Sequence, residues 1–149
     1  MRIPSIRTAR KDNLKSLLAL MEKYYEYDRH DFDRKNVPLA MRGLLADPLL
    51  GAVFLATEKN IAIGYLVLAF GYSLEYHGRD AFVDEFFIVE KYRSKGLGRA
   101  MLARAQKAAK KMGIKAIHLE VSRHNEKVLD FYGREGFDDH DRYLMTKRV

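Results

Sequence analysis

Residues 90–101 read EKYRSKGLGRAM, with Gly96 and Gly98 set among Arg93, Lys95 and Arg99, directly after an apolar run and directly before a helical pattern. Upstream, AFVDEFFIV (81–89) is rich in β-branched and aromatic residues and predicts a strand. Downstream, Leu97, Met101, Ala105, Ala108 and Met112 keep helical spacing, and Gly113 is placed to close that helix. Where a strand gives way to a helix, the helix's first N–H groups have no intrahelical partner. Those groups and the positive end of the helix suit an anion, and glycines let a phosphate approach the main chain closely. The same glycines would also serve a turn that needs only positive φ, and clustered cations are commonly solvated surface. The third glycine of a dinucleotide fingerprint and the Gly-Lys-Ser/Thr of a P-loop are both missing.

Working outward, Leu14, Leu17, Leu18, Met21, Tyr24 and Tyr25 mark an amphipathic first helix over 12–27. Pro38 suits the first turn of a short second helix that ends near Ala46, before Asp47-Pro48. AVFLAT and IAIGYLVLAFGY flank Glu58-Lys59-Asn60 as a β-hairpin. KAIHLEV (115–121) alternates as a strand, Asn125 can cap a short helix carrying Val128, Leu129, Phe131 and Tyr132, and residues 137–149 suit two extended pieces turning at Asp139-His140-Asp141. The order β-α-α-β-β-β-α-β-α-β predicts an α/β (α+β) fold. Its front half is antiparallel, a parallel strand–helix–strand crossover follows, and the whole forms one undivided domain over 1–149.

Composition narrows the chemistry. The 149 residues hold no cysteine, which excludes disulfides, thiolate zinc sites and a cysteine nucleophile. The five histidines lack ligand spacing, so no metal is expected. No apolar run approaches a membrane span, and the start has no secretion signal, so a soluble, cytoplasmic protein is expected. The net charge of +7 favours polyanions, either nucleic acid or a phosphate-rich cofactor.

Arg93-Ser-Lys-Gly96-Leu-Gly98 resembles the R/Q-x-x-G-x-G/A signature of the GNAT superfamily of acyl-CoA-dependent N-acyltransferases, and DEFFIV before it has the strand character that signature follows. Asn125 and Tyr132 in NEKVLDFYGREGF resemble that family's second block, and YLMTKRV its last strand. The resemblance is specific mainly over 83–137. It implies a central mixed sheet of six to seven strands with about four helices. The activity it implies is transfer of an acetyl group from acetyl-CoA to a primary amine by direct attack in a ternary complex.

The resemblance also implies roles. The pantetheine arm of coenzyme A would bond the main chain of Phe87, Ile88 and Val89, with an oxyanion donor near Ile88. The pyrophosphate would lie on the N–H groups of Ser94, Lys95, Gly96, Leu97, Gly98 and Arg99, helped by the side chains of Arg93 and Lys95. Asn125 would hold the pantetheine arm, or the loop beside it, as well as capping its helix. Tyr132, with an ordinary pKa of about 10, would be the general acid for the departing thiolate. Asp84 and Glu85, neighbours on a strand, face opposite sides, so one of them, or a water relaying to one, is the base.

The acceptor side implied by the resemblance includes Tyr24, Tyr25, Tyr27, Asp28, Asp31 and Asp33, with Glu75, Tyr76 and His77. Carboxylates beside aromatics suit a cationic amine, and the acceptor is a small molecule or a protein amino group. The family often forms homodimers, so a homodimer is expected. Two alternatives stand beside this reading: a basic nucleic-acid-binding domain using the cations of residues 98–112, and an acyl-CoA-binding domain without turnover.

Overall fold

The computed structural model describes residues 4–149. They divide into two compact units, one through Leu119 and one from Glu120 to Val149, where one undivided domain is expected from sequence. Within the first unit the order is β1 (Ser5–Thr8), α1 (Leu14–Tyr27), α2 (Asn36–Ala46), β2 (Gly51–Glu58), β3 (Ile61–Ser73), β4 (Gly78–Ile88), α3 (Leu97–Lys111) and β5 (Ile117–His118). The second unit carries α4 (Glu126–Arg134).

The strands lie in the order β1-β2-β3-β4-β5, antiparallel except for the parallel β4–β5 pair that α3 connects. Lys59 and Asn60 both take positive φ, 49° and 66°, and close the β2–β3 hairpin in two residues as a type I′ turn requires. Pro38 falls in the first turn of α2, where a missing N–H removes no helical bond.

Register sorts the side chains into two cores. Val53 pairs with Val67, Leu55 with Tyr65 and Tyr65 with Phe87, so these share one face. There they pack with Leu17, Leu20 and Met21 of α1 and Met41 of α2. Phe54, Leu66 and Leu68 point the other way. On that side α3 buries Leu97, Met101, Leu102, Ala105 and Ala109, and the Arg104 guanidinium lies 5.7 Å above the Phe54 ring.

β4 contains one extra residue. Val67 pairs with Glu85 but Leu68 with Val83, so Asp84 is a β-bulge without an opposite number. The bulge reverses the alternation: Ala81 and Val83 share the α3 face, whereas Glu85 and Phe87 turn to the α1 face.

Two expectations are corrected. Among the described residues the sheet has five strands, not six or seven. KAIHLEV pairs only at Ile117 and His118, opposite Ala81 and Phe82. The kink at Asp84 follows immediately on β4, and bulges commonly end a ladder. Residues 137–149 form no strand either. Alternation along that segment cannot make a strand without a partner, and its local bonds go to a turn in which the Asp141 N–H donates to Asp139 Oδ1 at 2.7 Å.

Candidate active site

The Asp84 bulge sets the first unit's chemistry by placing a carboxylate on an aromatic, buried face. Tyr25 Oη donates to Glu85 Oε2 at 2.6 Å, and Tyr65 Oη donates to Glu85 Oε1 at 2.8 Å. Both oxygens of one carboxylate are therefore held, one from α1 and one from β3. Tyr65 is fully buried. Tyr24 packs edge-on to Tyr25 and Tyr65, and its ring centroid lies 5.8 Å from that of Phe87.

Burial raises the proton affinity of Glu85 above the ordinary carboxylate range, the two phenol hydrogen bonds pull it back, Asp84 adds to the rise, and His30 opposes it. Tyr25 is pushed up by burial first and then by its hydrogen bond to Glu85 and the Glu85 charge. Tyr65 is raised by burial, then by the charge and hydrogen bond of Glu85. Both phenols therefore keep their protons at neutral pH. The Asp84 carboxyl is also raised by partial burial, although the residue as a whole is exposed.

Beyond Phe82, β5 no longer pairs with β4, so β4 has one strand neighbour, β3, along Val83–Ile88. Val89 is committed on both sides, since its N–H donates to the Ile63 carbonyl at 2.9 Å and its carbonyl accepts from Tyr92 at 2.9 Å. Phe87, paired with Tyr65, shares that β3-facing edge with Val89, so of the three main-chain positions expected to meet a cofactor only Ile88 faces away from β3. Alternation turns the Ile88 amide to the opposite, open edge. Its carbonyl there accepts from Arg93 Nε at 2.7 Å.

The glycine loop has the conformation its sequence suggests. Gly96 is the N-cap of α3 at φ 83° and ψ −4°, in the left-handed region, and a Cβ built there would meet no atom within 4 Å. Ser94, at φ 59°, also has left-handed backbone. The first turn of α3, which begins at Leu97 and contains Gly98 and Arg99, follows directly. Two of the cations expected to help hold the pyrophosphate bond the protein itself, Arg93 in a part-buried position and Lys95 at the surface. Arg93, besides bonding Ile88, stacks 4.6 Å from the Tyr27 ring and 5.3 Å from Phe87, and Lys95 Nζ donates to the Lys91 carbonyl at 2.8 Å.

The acceptor candidates separate. Tyr24 and Tyr25 belong to the Glu85 cluster, and Tyr27 lies under Arg93. Asp28 pairs with His30 at 2.7 Å, Asp31 is exposed, and Phe32 packs on Tyr25. Asp33 is a structural cap: it accepts from the N–H groups of Lys35 and Asn36 and from Asn36 Nδ2, and these bonds lower its pKa. Glu75, Tyr76 and His77 sit in the turn between β3 and β4, and the strand rise over 78–85 puts that turn roughly 20 Å from Glu85. They do not join the Glu85 cluster. There Tyr76 stacks on His118, which bonds Asp80 at 3.0 Å.

In the second unit, Asn125 caps α4, its Oδ1 accepting from the Val128 N–H at 3.4 Å. The helix closes with Gly136 at φ 91° and a Phe137 N–H to Tyr132 carbonyl bond of 3.0 Å, and the Tyr132 and Phe137 rings meet edge to face. Burial pushes the Tyr132 phenol up to about 12.

Tyr65 is the site residue that sequence reasoning missed. Inside IAIGYLVLAFGY it reads as core, and only the β3–β4 register, shifted by the bulge, puts its hydroxyl beside Glu85.

The family profile described as Acetyltransferase (GNAT) family matches residues 14–137. The chain belongs to the GNAT acetyltransferase family. This N-acetyltransferase is 35% identical over 75 residues to the uncharacterized N-acetyltransferase YycN of Bacillus subtilis, a match that spans 50% of this chain and 47% of that protein. A second Bacillus subtilis relative, the uncharacterized N-acetyltransferase YhfO, is 24% identical over 91% of this chain and 90% of its own. Among solved structures, the integron cassette protein HFX_CASS3, from the mobile metagenome of Cole Harbour salt marsh, superposes with a TM-score of 0.86 at 31% identity, over 97% of this chain and 90% of that one. Among the described residues no helix is long and apolar enough to cross a membrane.

Proposed function

We propose that this GNAT enzyme moves an acetyl group from acetyl-CoA to a primary amine by direct attack in a ternary complex, with Glu85 as the base. The observation that carries this is a partly buried carboxylate of raised proton affinity, held by Tyr25 and Tyr65 on the α1 face of the strand whose far edge is open. Asp84 is the weaker choice because its side chain is exposed at the bulge.

The residues present fit coenzyme A. The edge of β4 beyond Phe82, unpaired by β5, is open to an extended pantetheine arm. The left-handed Gly96 has space where a side chain would stand, and the start of α3 offers main-chain N–H groups and a positive helix end to a pyrophosphate. Ser94 to Arg99 would hold the diphosphate through the main chain. Arg93 and Lys95 brace that loop through their bonds to the Ile88 and Lys91 carbonyls. Acetyl-CoA supplies a thioester carbonyl open to amine attack and a thiolate leaving group.

Glu85 takes one proton from the ammonium, freeing the nitrogen lone pair to attack the thioester carbonyl; as the C–S bond breaks, the nitrogen loses its second proton to solvent, which returns one to the Tyr132 phenolate. The Ile88 N–H, turned to the open edge, can donate to the thioester oxygen as charge gathers there. Tyr132, kept protonated by burial, supplies the proton for the departing sulfur, and Asn125 holds the pantetheine arm as the resemblance implies. The acceptor enters beside Tyr24, Tyr25, Tyr27 and Asp28, a wall of aromatics and carboxylate suited to a cationic amine. The family match crosses from the first unit into the second, which supports reading 1–149 as one N-acetyltransferase domain.

Thiol release from acetyl-CoA across a panel of primary amines tests the assignment. Glu85→Gln is expected to lower kcat/KM by roughly 100- to 10,000-fold, and Asp84→Asn by only a few-fold. Tyr132→Phe is expected to lower kcat with little change in acetyl-CoA affinity. Full activity in Glu85→Gln would remove Glu85 as the base.

A further inference from the structure

Glu85 accepts a phenol hydrogen bond on each carboxylate oxygen while the residue itself stays only partly buried. The 2.6 Å bond comes from Tyr25, on a helix, and the 2.8 Å bond from Tyr65, on the neighbouring strand, so the carboxylate is fixed from two independent elements. No buried side-chain polar atom among the described residues lacks a hydrogen-bond partner. The two donors differ: Tyr65 is fully buried between strands, whereas Tyr25 is only partly buried and packs against Tyr24, His30 and Phe32.

We propose that Tyr25 and Tyr65 are positioning residues that act through Glu85, clamping its carboxylate in one orientation and setting the pH range over which it can accept a proton. This rests on the reading of Glu85 as the base. Every group facing the carboxylate bears on that range. From α1 come Tyr24 and Tyr25, from the loop after it His30, from β3 Tyr65, and from β4 Asp84, while Arg93 is drawn onto the Phe87 ring two residues along the same face. Burial and Asp84 favour the neutral acid, and the phenols and His30 favour the anion. Each phenol bonds the carboxylate more strongly than the neutral acid, because the anion is the better acceptor and protonation takes up part of the acceptor capacity of Glu85.

Removing a phenol hydroxyl therefore weakens the anion and raises the proton affinity of Glu85. A base must be ionised to work, so the acidic limb of the kcat/KM profile moves to higher pH. A hydrogen bond to a charged group corresponds to a shift of about one pH unit. Tyr65→Phe should move the limb further than Tyr25→Phe, because no water can replace the donor in the fully buried position. In water-accessible Tyr25→Phe, a solvent molecule recovers part of the bond.

The experiment pairs two readouts on wild type, Tyr25→Phe and Tyr65→Phe, each first checked for unchanged circular dichroism. One is the pH profile of kcat/KM with acetyl-CoA and a fixed primary amine. The other, independent of catalysis, is a carboxyl carbon-13 NMR titration of Glu85, assigned with Glu85→Gln. Upward shifts in both, larger for Tyr65→Phe, are the expected result. A carboxyl titration that does not move in either variant would overturn the clamp. A moved titration with an unmoved activity limb would keep the clamp and reject Glu85 as the base. A uniform loss of rate at every pH with no shift in either readout would make both tyrosines merely structural.

Discussion

Gly96 combines two demands on one position. Its φ of 83° is conformationally expensive for a residue with a Cβ, yet nothing within 4 Å would collide with one. Gly96→Ala is therefore expected to cost about 1–2 kcal/mol through backbone strain alone, read as a lower unfolding midpoint in urea. Gly96→Asn should recover part of that loss, because asparagine tolerates the left-handed region. If the loop also holds a diphosphate, both variants should weaken acetyl-CoA in calorimetry by more than their stability loss accounts for. Unchanged affinity in both would confine Gly96 to the turn. The requirement for glycine was legible in EKYRSKGLGRAM because it is local. The placement of Arg93 was not, since the Tyr27 and Phe87 rings that hold it are set by packing.

Asn125 opens α4 with its side-chain oxygen alone. Asn125→Ala should destabilise by about 1 kcal/mol in chemical denaturation. Asn125→Asp keeps the oxygen and should leave stability nearly intact while removing the amide donor. A drop in acetyl-CoA affinity in Asn125→Asp would separate a ligand contact from the cap; equal affinity would leave only the cap. Element identities were largely readable because helix spacing, the two-residue turn at Lys59-Asn60 and the closing glycines Gly113 and Gly136 are short-range signals. Strand extent was not. KAIHLEV alternates over seven residues yet pairs at two, because a strand is completed by its neighbour, and β4 bends at Asp84 just beyond that pairing.

Taken over the whole molecule, the buried acids and phenols give stability a pH signature. Glu85 is raised in the folded state, so its contribution is full below its ordinary value of 4.5 and declines as pH rises through the raised folded value. Glu85→Gln should flatten that decline in a stability-against-pH series, while the wild type is most stable at mildly acid pH with respect to this group. Tyr25, Tyr65 and Tyr132 are raised above 10.0, so a steeper loss should begin near pH 10. Each phenol adds up to about 1.4 kcal/mol per pH unit, and Tyr65→Phe should blunt the slope. A pH-independent midpoint between 9 and 11.5 would contradict the buried state of these rings.

By itself, the sequence determined the GNAT resemblance, the helices, the hairpin and the glycine turn, because each rests on residues close together in the chain. The tertiary structure decided which carboxylate is buried and what holds it. A single extra residue at Asp84 turns Glu85 to the α1 face, where phenols 60 and 20 positions away meet its two oxygens. Strand register across a bulge is a property of the paired sheet, and no local pattern encodes it.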